Sequence, residues 1–203
     1  MIYDISPAVA AGMPVWPGDT GPQREILGDL RRGDDVNLST LRTTVHVGAH
    51  VDAPSHMSTT GLTIDECDLE RFIGPAEVLR VTVAPGEAIQ PRHLRGSSAP
   101  RVLLATGTYG DWGTFRSDFA ALSVAAVEEL HARGVVLVGI DTPSVDLFGA
   151  TNHPVHERMN ALDMAVLEGL DLSGVPEGVY ELVALPLKLV GFEASPVRAI
   201  LRT

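Results

Sequence analysis

Residues 46–56 read His46-Val-Gly48-Ala-His50-Val-Asp52-Ala-Pro54-Ser-His56, which gathers three of the chain's 7 histidines and one aspartate into one short segment. Neutral imidazole and carboxylate are natural ligands of zinc and related divalent ions. His46, His50, Asp52 and His56 all fall at even positions, as does Gly48, so on an extended chain they share one face. A straight strand nevertheless sets His46 and His50 roughly 13 Å apart, too far for both to reach one ion. Gly48 supplies freedom to bend and Pro54 keeps the segment from becoming a helix. The spacing therefore predicts a strand end that curls around a cation. Two histidines and the aspartate can fill three positions and leave one open for water, the pattern of catalytic metal sites. His56 could add a further ligand, but Pro54 turns the chain between it and Asp52. A proton carrier suits it better, because imidazole titrates near neutral pH.

The elements that must position these groups are short. Residues 23–27, 36–47, 76–83, 101–106, 135–140, 180–185 and 197–201 read as strands, and the continuous apolar run 135–140 predicts burial on both faces. The clearest helix covers 124–133, with Ser123 as N-cap, Val124, Val127 and Leu130 on one face, and Gly134 to end it. A second, less regular helical stretch covers 154–170. Helix leading into apolar strand points to an α/β architecture with a mixed sheet curled towards a barrel. The absence of repeats, low-complexity tracts and linker-like shifts predicts one domain over residues 1–203.

Composition narrows the function. Hydrophobic residues make up 45% and charged residues 20%, an ordinary globular balance. A formal net charge of −11 argues against nucleic acid and against anionic membrane surfaces. The 1 cysteine, Cys67, allows no internal disulfide and removes thiolate-rich zinc sites. No segment reads as a signal peptide or a membrane span, so a cytoplasmic enzyme is expected.

The pattern His46-x-Gly-x-His50-x-Asp52-x-Pro54-x-His56 resembles the signature of the cyclase-like metal-dependent hydrolases, and among them the bacterial kynurenine formamidases (arylformamidases). The resemblance extends along the chain through Asp4-Ile-Ser-Pro7, Pro14-Val-Trp-Pro-Gly-Asp19, Gly139-Ile-Asp-Thr-Pro-Ser144, Leu167-Glu-Gly169, Tyr180-Glu-Leu, Ala184-Leu-Pro-Leu-Lys188 and the closing Ala194-Ser-Pro-Val-Arg-Ala-Ile-Leu-Arg202. It implies a swivelling β/β/α fold, a partly barrel-like β core with peripheral helices, assembled as a homodimer. It also implies two divalent ions, usually zinc. His46, His50 and Asp52 would hold the first, and Asp52 would bridge to the second, completed by His156 and Glu168. His56 would be the general acid/base and Trp16 the contact to the substrate ring. The implied reaction is hydrolysis of N-formyl-L-kynurenine, a small aromatic formamide, to L-kynurenine and formate in tryptophan degradation.

Residues alone do not choose His156 over His153, and they read Glu168 as a charge near a helix end and Trp16 as a half-buried core aromatic. On one straight helix His156 and Glu168 would stand ~18 Å apart. A break is therefore expected between Asn160 and Asp163; Asp163 stands where relatives often carry glycine. Trp112 could border the pocket. Asp141 and Ser144 read either as partners behind the site or as turn caps. The competing functions are an isatin hydrolase or other cyclic amide hydrolase of the same superfamily, and a non-catalytic metal-binding module. A serine hydrolase is disfavoured, since no Gly-x-Ser-x-Gly elbow is present.

Overall fold

The computed structural model describes residues 1–96 and 99–203. In chain order its strands are β1 (Ile2–Asp4), β2 (Gln23–Gly28), β3 (Leu38–Arg42), β4 (His50–Asp52), β5 (Ile73–Arg80), β6 (Ala88–Ile89), β7 (Arg101–Ala105), β8 (Ala121–Leu122), β9 (Leu137–Ile140), β10 (Ala165–Glu168), β11 (Gly178–Val183), β12 (Ala194–Pro196) and β13 (Ile200–Arg202). The α-helices are α1 (Val124–Ala132) and α2 (Pro154–Ala161). The main sheet runs in the order β1-β13-β11-β5-β7-β9-β10-β4-β12. Its centre, β5-β7-β9-β10, is parallel, and both flanks are antiparallel. This is the mixed, curled α/β sheet that the sequence predicts.

Alternation along the central strands makes two cores. Leu103, Leu137, Leu167 and Val51 pack with Val78, Leu182 and Leu201 inside the curl. Val102, Leu104, Val138, Ile140 and Val166 face the other way, onto Val127 and Leu130 of α1 and Met159 of α2. All five residues of β7 and all four of β9 are buried, as befits parallel strands covered on both faces. α1 starts where its cap places it. Ser123 Oγ accepts a hydrogen bond from Ala126 N at 3.1 Å, and Gly134 ends the helix at φ 84°. Burial of Val127 and Leu130 contributes about 1.5–3 kcal/mol each.

Three expected elements change. The helix expected over 154–170 stops at Ala161, and residues 165–168 form β10. Ala165, Val166 and Leu167 pair in parallel with Leu137, Val138 and Gly139, so burial on both faces of the sheet overrides helical propensity. The expected break falls at Asp163, which holds φ 55°, a left-handed conformation that Asp tolerates. Arg71 fixes it, with Nη1 donating to the Asp163 carbonyl at 3.0 Å and Nη2 to its carboxylate at 2.5 Å. The strand expected over 36–47 shrinks to β3, because Gly48 at φ 57° turns the approach to β4. Of the strand expected over 197–201, only residues 200–201 lie in β13, and 197–199 form the link from β12. Val197 N bonds to Ala49 O and Ala199 N to Ser6 Oγ, so the chain changes partners there. Among the described residues no helix is long and apolar enough to cross a membrane.

Candidate metal centre

β4 and β10 run antiparallel with Glu168 opposite His50 and Val166 opposite Asp52. Residues two apart on a strand share a face. Val51 packs inside the curl, so His50 and Asp52 look out towards α2, and Glu168 joins them from the neighbouring strand. Gly48 and Gly169 make this possible. A Cβ on Gly48 would lie 2.8 Å from Val9 Cγ2, and one on Gly169 would collide with the Gly48 carbonyl. The bend at Gly48 brings His46 Nδ1 to 3.2 Å from Asp52 Oδ1. α2 supplies His156 from its first turn.

The donor atoms converge from two sides. His50 Nε2 stands 3.7 Å from Asp52 Oδ1 and 3.2 Å from Glu168 Oε2. His156 Nε2 stands 3.4 Å from Asp52 Oδ2 and 3.2 Å from Glu168 Oε1. Each carboxylate thus turns one oxygen to His50 and the other to His156. Asp52 Oδ1, Asp52 Oδ2 and His46 Nε2 are buried without a hydrogen-bond partner. An unpaired buried carboxylate is costly, and ions neutralise that cost. Ligands held ~2.0–2.2 Å from a tetrahedral ion stand about 3.3–3.5 Å apart, close to the spacings here. Close but unaligned nitrogen and oxygen atoms are what ligands of shared cations present. The donor set fits divalent metal.

Outer partners aim these groups. His50 Nδ1 bonds the Gly48 carbonyl at 3.0 Å, His156 Nδ1 the Asp146 carboxylate at 2.7 Å, and Glu168 Oε1 accepts from Val145 N at 2.7 Å. Charge follows the packing. Burial opposes protonation of His50, but Glu168 and Asp52 outweigh it and raise its pKa to about 9. Burial likewise resists charging His156, yet Glu168 and Asp146 hold it well above the usual histidine value. Burial would raise Glu168, but His156 brings it down to about 2. Asp52 also overcomes its burial and lies well below the usual carboxylate range, chiefly through His156 and His46.

A cavity of about 360 Å³ opens over the cluster. His46, His50, His156 and Glu168 form its floor, and Trp16, Tyr109, Trp112 and Phe115 stand along its wall. Six of the chain's ten aromatic residues meet there: Trp16 contacts Phe115, Phe119 and Phe148, and Tyr109 contacts Trp112, Phe115 and Phe119. His56 sits in the turn Pro54–His56, open to the cavity, with its ring centroid 4.4 Å from that of His46 and 5.7 Å from that of His156. Desolvation of its ring outweighs the pull of Asp52 and keeps its pKa below the usual histidine value. It is therefore neutral at pH 7 and able to take a proton.

A model of the Cyclase family, described as "Putative cyclase", matches residues 3–147. A kynurenine formamidase of Bordetella petrii is 45% identical over 99% of this chain and 97% of its own, and one of Bordetella pertussis is 42% identical over the same shares. The chain belongs to the cyclase family. A solved structure described as a potential metal-dependent hydrolase with cyclase activity superimposes with a TM-score of 0.85 at 30% identity, over 99% of this chain and 96% of its own. Isatin hydrolase A of Labrenzia aggregata reaches a TM-score of 0.80 at 22% identity, over 99% and 91%, and shares the fold.

Within this cyclase fold, His46, His50, Asp52, His156 and Glu168 come together, with His56 beside them and Trp16 on the wall. His153 stays exposed at φ 44°, its ring 6.0 Å from that of His156, beside Asn152 at φ 64°. Asp141 is a cap outside the cluster, accepting from Thr106 N, Thr106 Oγ1 and Gly107 N at 3.0, 2.6 and 2.8 Å. It anchors the segment that carries the aromatic wall. Ser144 borders the cavity, and its Oγ accepts from Asp146 N at 3.1 Å. Sequence reasoning missed Asp146, and with it Tyr109, Phe115 and Phe148. Aromatic residues crowded into 106–120 were the one available signal for the wall.

Proposed function

We propose that this protein is a metal-dependent amide hydrolase that converts N-formyl-L-kynurenine to L-kynurenine and formate in tryptophan degradation. The observation that carries the reading is a cluster of imidazoles and carboxylates on the floor of a cavity walled by aromatic rings. Relatives named for this activity, 45% and 42% identical over nearly the whole chain, support it. In this reading His46, His50, Asp52, His156 and Glu168 would hold two divalent ions, expected to be Zn²⁺, with His46 and His50 serving one and His156 the other. When bound, such ions polarise a carbonyl and make a water acidic near neutral pH.

The protein's own groups do the rest. The aromatic wall, with Trp16 foremost, holds the substrate ring on a flat apolar face and excludes water around it. His56, neutral at pH 7, takes the proton released as water adds to the formyl carbon. It then returns that proton to the aniline nitrogen as the C–N bond breaks, giving the amine and formate. Asp52 and Glu168, ionised at neutral pH, supply the negative charge that cations would meet there.

The reading includes a cytoplasmic homodimer. The ribbon β2–β3 leaves Ile26, Leu27, Leu38 and Leu41 exposed, apolar surface that a second copy would cover. Cys67 as a free thiol suits a reducing compartment. Parallel assays with N-formylkynurenine and isatin test the substrate. Turnover of the formamide is expected; turnover of isatin alone would replace the reading with its cyclic-amide rival.

A further inference from the structure

The loop that follows β9 holds two consecutive residues, Val145 and Asp146, that reach Glu168 and His156 respectively. Val145 N donates to Glu168 Oε1 at 2.7 Å. Asp146, 2% exposed, accepts from Val155 N at 2.9 Å through Oδ1, and from His156 N and His156 Nδ1 at 3.1 and 2.7 Å through Oδ2. Ser144 Oγ in turn accepts from Asp146 N at 3.1 Å. Among the described residues His46 and His50 receive nothing comparable: His50 leans on a backbone carbonyl, and His46 Nε2 lies 3.6 Å from the half-exposed Glu193.

We infer that Asp146 is a positioning residue that dictates which nitrogen of His156 carries a proton and so fits His156 Nε2 to bind a cation. The inference rests on the metal reading above. An ionised carboxylate accepts only, so the ring nitrogen facing Oδ2 must be the donor. That puts the proton on Nδ1 and leaves the Nε2 lone pair facing Asp52 and Glu168. The same carboxylate caps the first turn of α2, so ring orientation and helix position are set together. An amide cannot copy this. Both Asp146 oxygens accept, whereas asparagine offers one oxygen and one NH₂. If its NH₂ faces His156, it opposes the His156 backbone N–H and draws the ring proton to Nε2, the atom that should bind metal. If its NH₂ faces Val155 N, two donors collide at the helix cap.

The test uses the full-length protein. In ¹⁵N-resolved NMR of the wild type, the neutral His156 ring carries its proton on Nδ1; a proton on Nε2 overturns the inference without any variant. Titration of Asp146→Asn with Zn²⁺ should show one of two uptake steps weakened by roughly 10–100-fold and the other unchanged. The neutral His156 ring in that variant should hold its proton on Nε2 in a larger share of molecules than in the wild type. Two unchanged steps overturn the inference, even if N-formylkynurenine is still hydrolysed. A wild type that takes up no Zn²⁺ overturns it together with the metal reading, whereas failure on N-formylkynurenine with normal Zn²⁺ uptake sinks the substrate alone.

Discussion

The floor of the cavity is carried by paired strands and the first turn of a helix, whereas its aromatic wall is carried by the irregular segment 106–120 together with Trp16 and Phe148. On the floor, each of His50, His156 and Glu168 is fixed by a hydrogen bond to a buried partner in addition to the register of β4 on β10. On the wall, side chains hold one another through ring contacts, anchored mainly where Asp141 caps the exit of β7. Chemistry that needs sub-ångström placement sits on rigid elements, and recognition sits where the chain can vary. The floor should therefore fail all at once when touched, and the wall by degrees.

The largest effect is expected from Asp52→Asn, which removes the carboxylate facing both sides of the cluster. Metal analysis should find cation content lost, and turnover should fall further than the roughly 10–100-fold typical of an outer hydrogen-bond partner. His56→Ala comes next. It should lower kcat by about 10²–10⁴-fold while cation content stays at the wild-type level. Loss of metal in that variant would make His56 part of the floor rather than its proton carrier.

Protons compete with cations for the same nitrogens. His50, raised to about 9, and His156, raised well above its usual value, would each have to lose a proton to serve as metal ligands, whereas Asp52 and Glu168 are ionised already. Because the histidine values are raised, affinity grows as pH climbs towards about 9 and falls as pH drops. Calorimetry in buffers of different ionisation enthalpy should register up to about two protons released per chain at pH 7. No proton release would contradict the charge state assigned to these imidazoles.

On the wall, Trp16→Ala should lower kcat/KM for the aryl formamide by about tenfold, equivalent to ~1.4 kcal/mol, with little change for an aliphatic formamide. An equal loss on both would deny Trp16 its contact with the ring. Smallest of all, Asp163→Gly removes a partner from Arg71 but relieves a left-handed non-glycine residue. The melting curve should shift by about 1 kcal/mol or less, with cation content unchanged.

Local pattern made half of the floor legible. The even spacing of His46, His50, Asp52 and His56 around Gly48 and Pro54 announces a curled strand end, because those properties depend on neighbours along the chain. His156 and Glu168 came only through family resemblance, since their approach depends on how β10 pairs with β4 and where α2 stops. Ala165-Val-Leu-Glu168 is too short for periodicity to separate strand from helix, and only its pairing with β9 decides. Asp146 looks like any aspartate in a turn until the fold sets two backbone amides and a ring nitrogen against it. On the wall, Trp112 was legible as a possible border of the pocket, whereas Trp16 came through the resemblance, and Phe148 joins the segment 106–120 only in the fold.

The most direct test of the central claim, that the His/carboxylate cluster works through bound divalent metal, is N-formylkynurenine turnover before chelation, after exhaustive chelation, and after Zn²⁺ is returned. Turnover should vanish with the metal and come back with it. Undiminished turnover in protein shown by elemental analysis to hold no metal would contradict the claim.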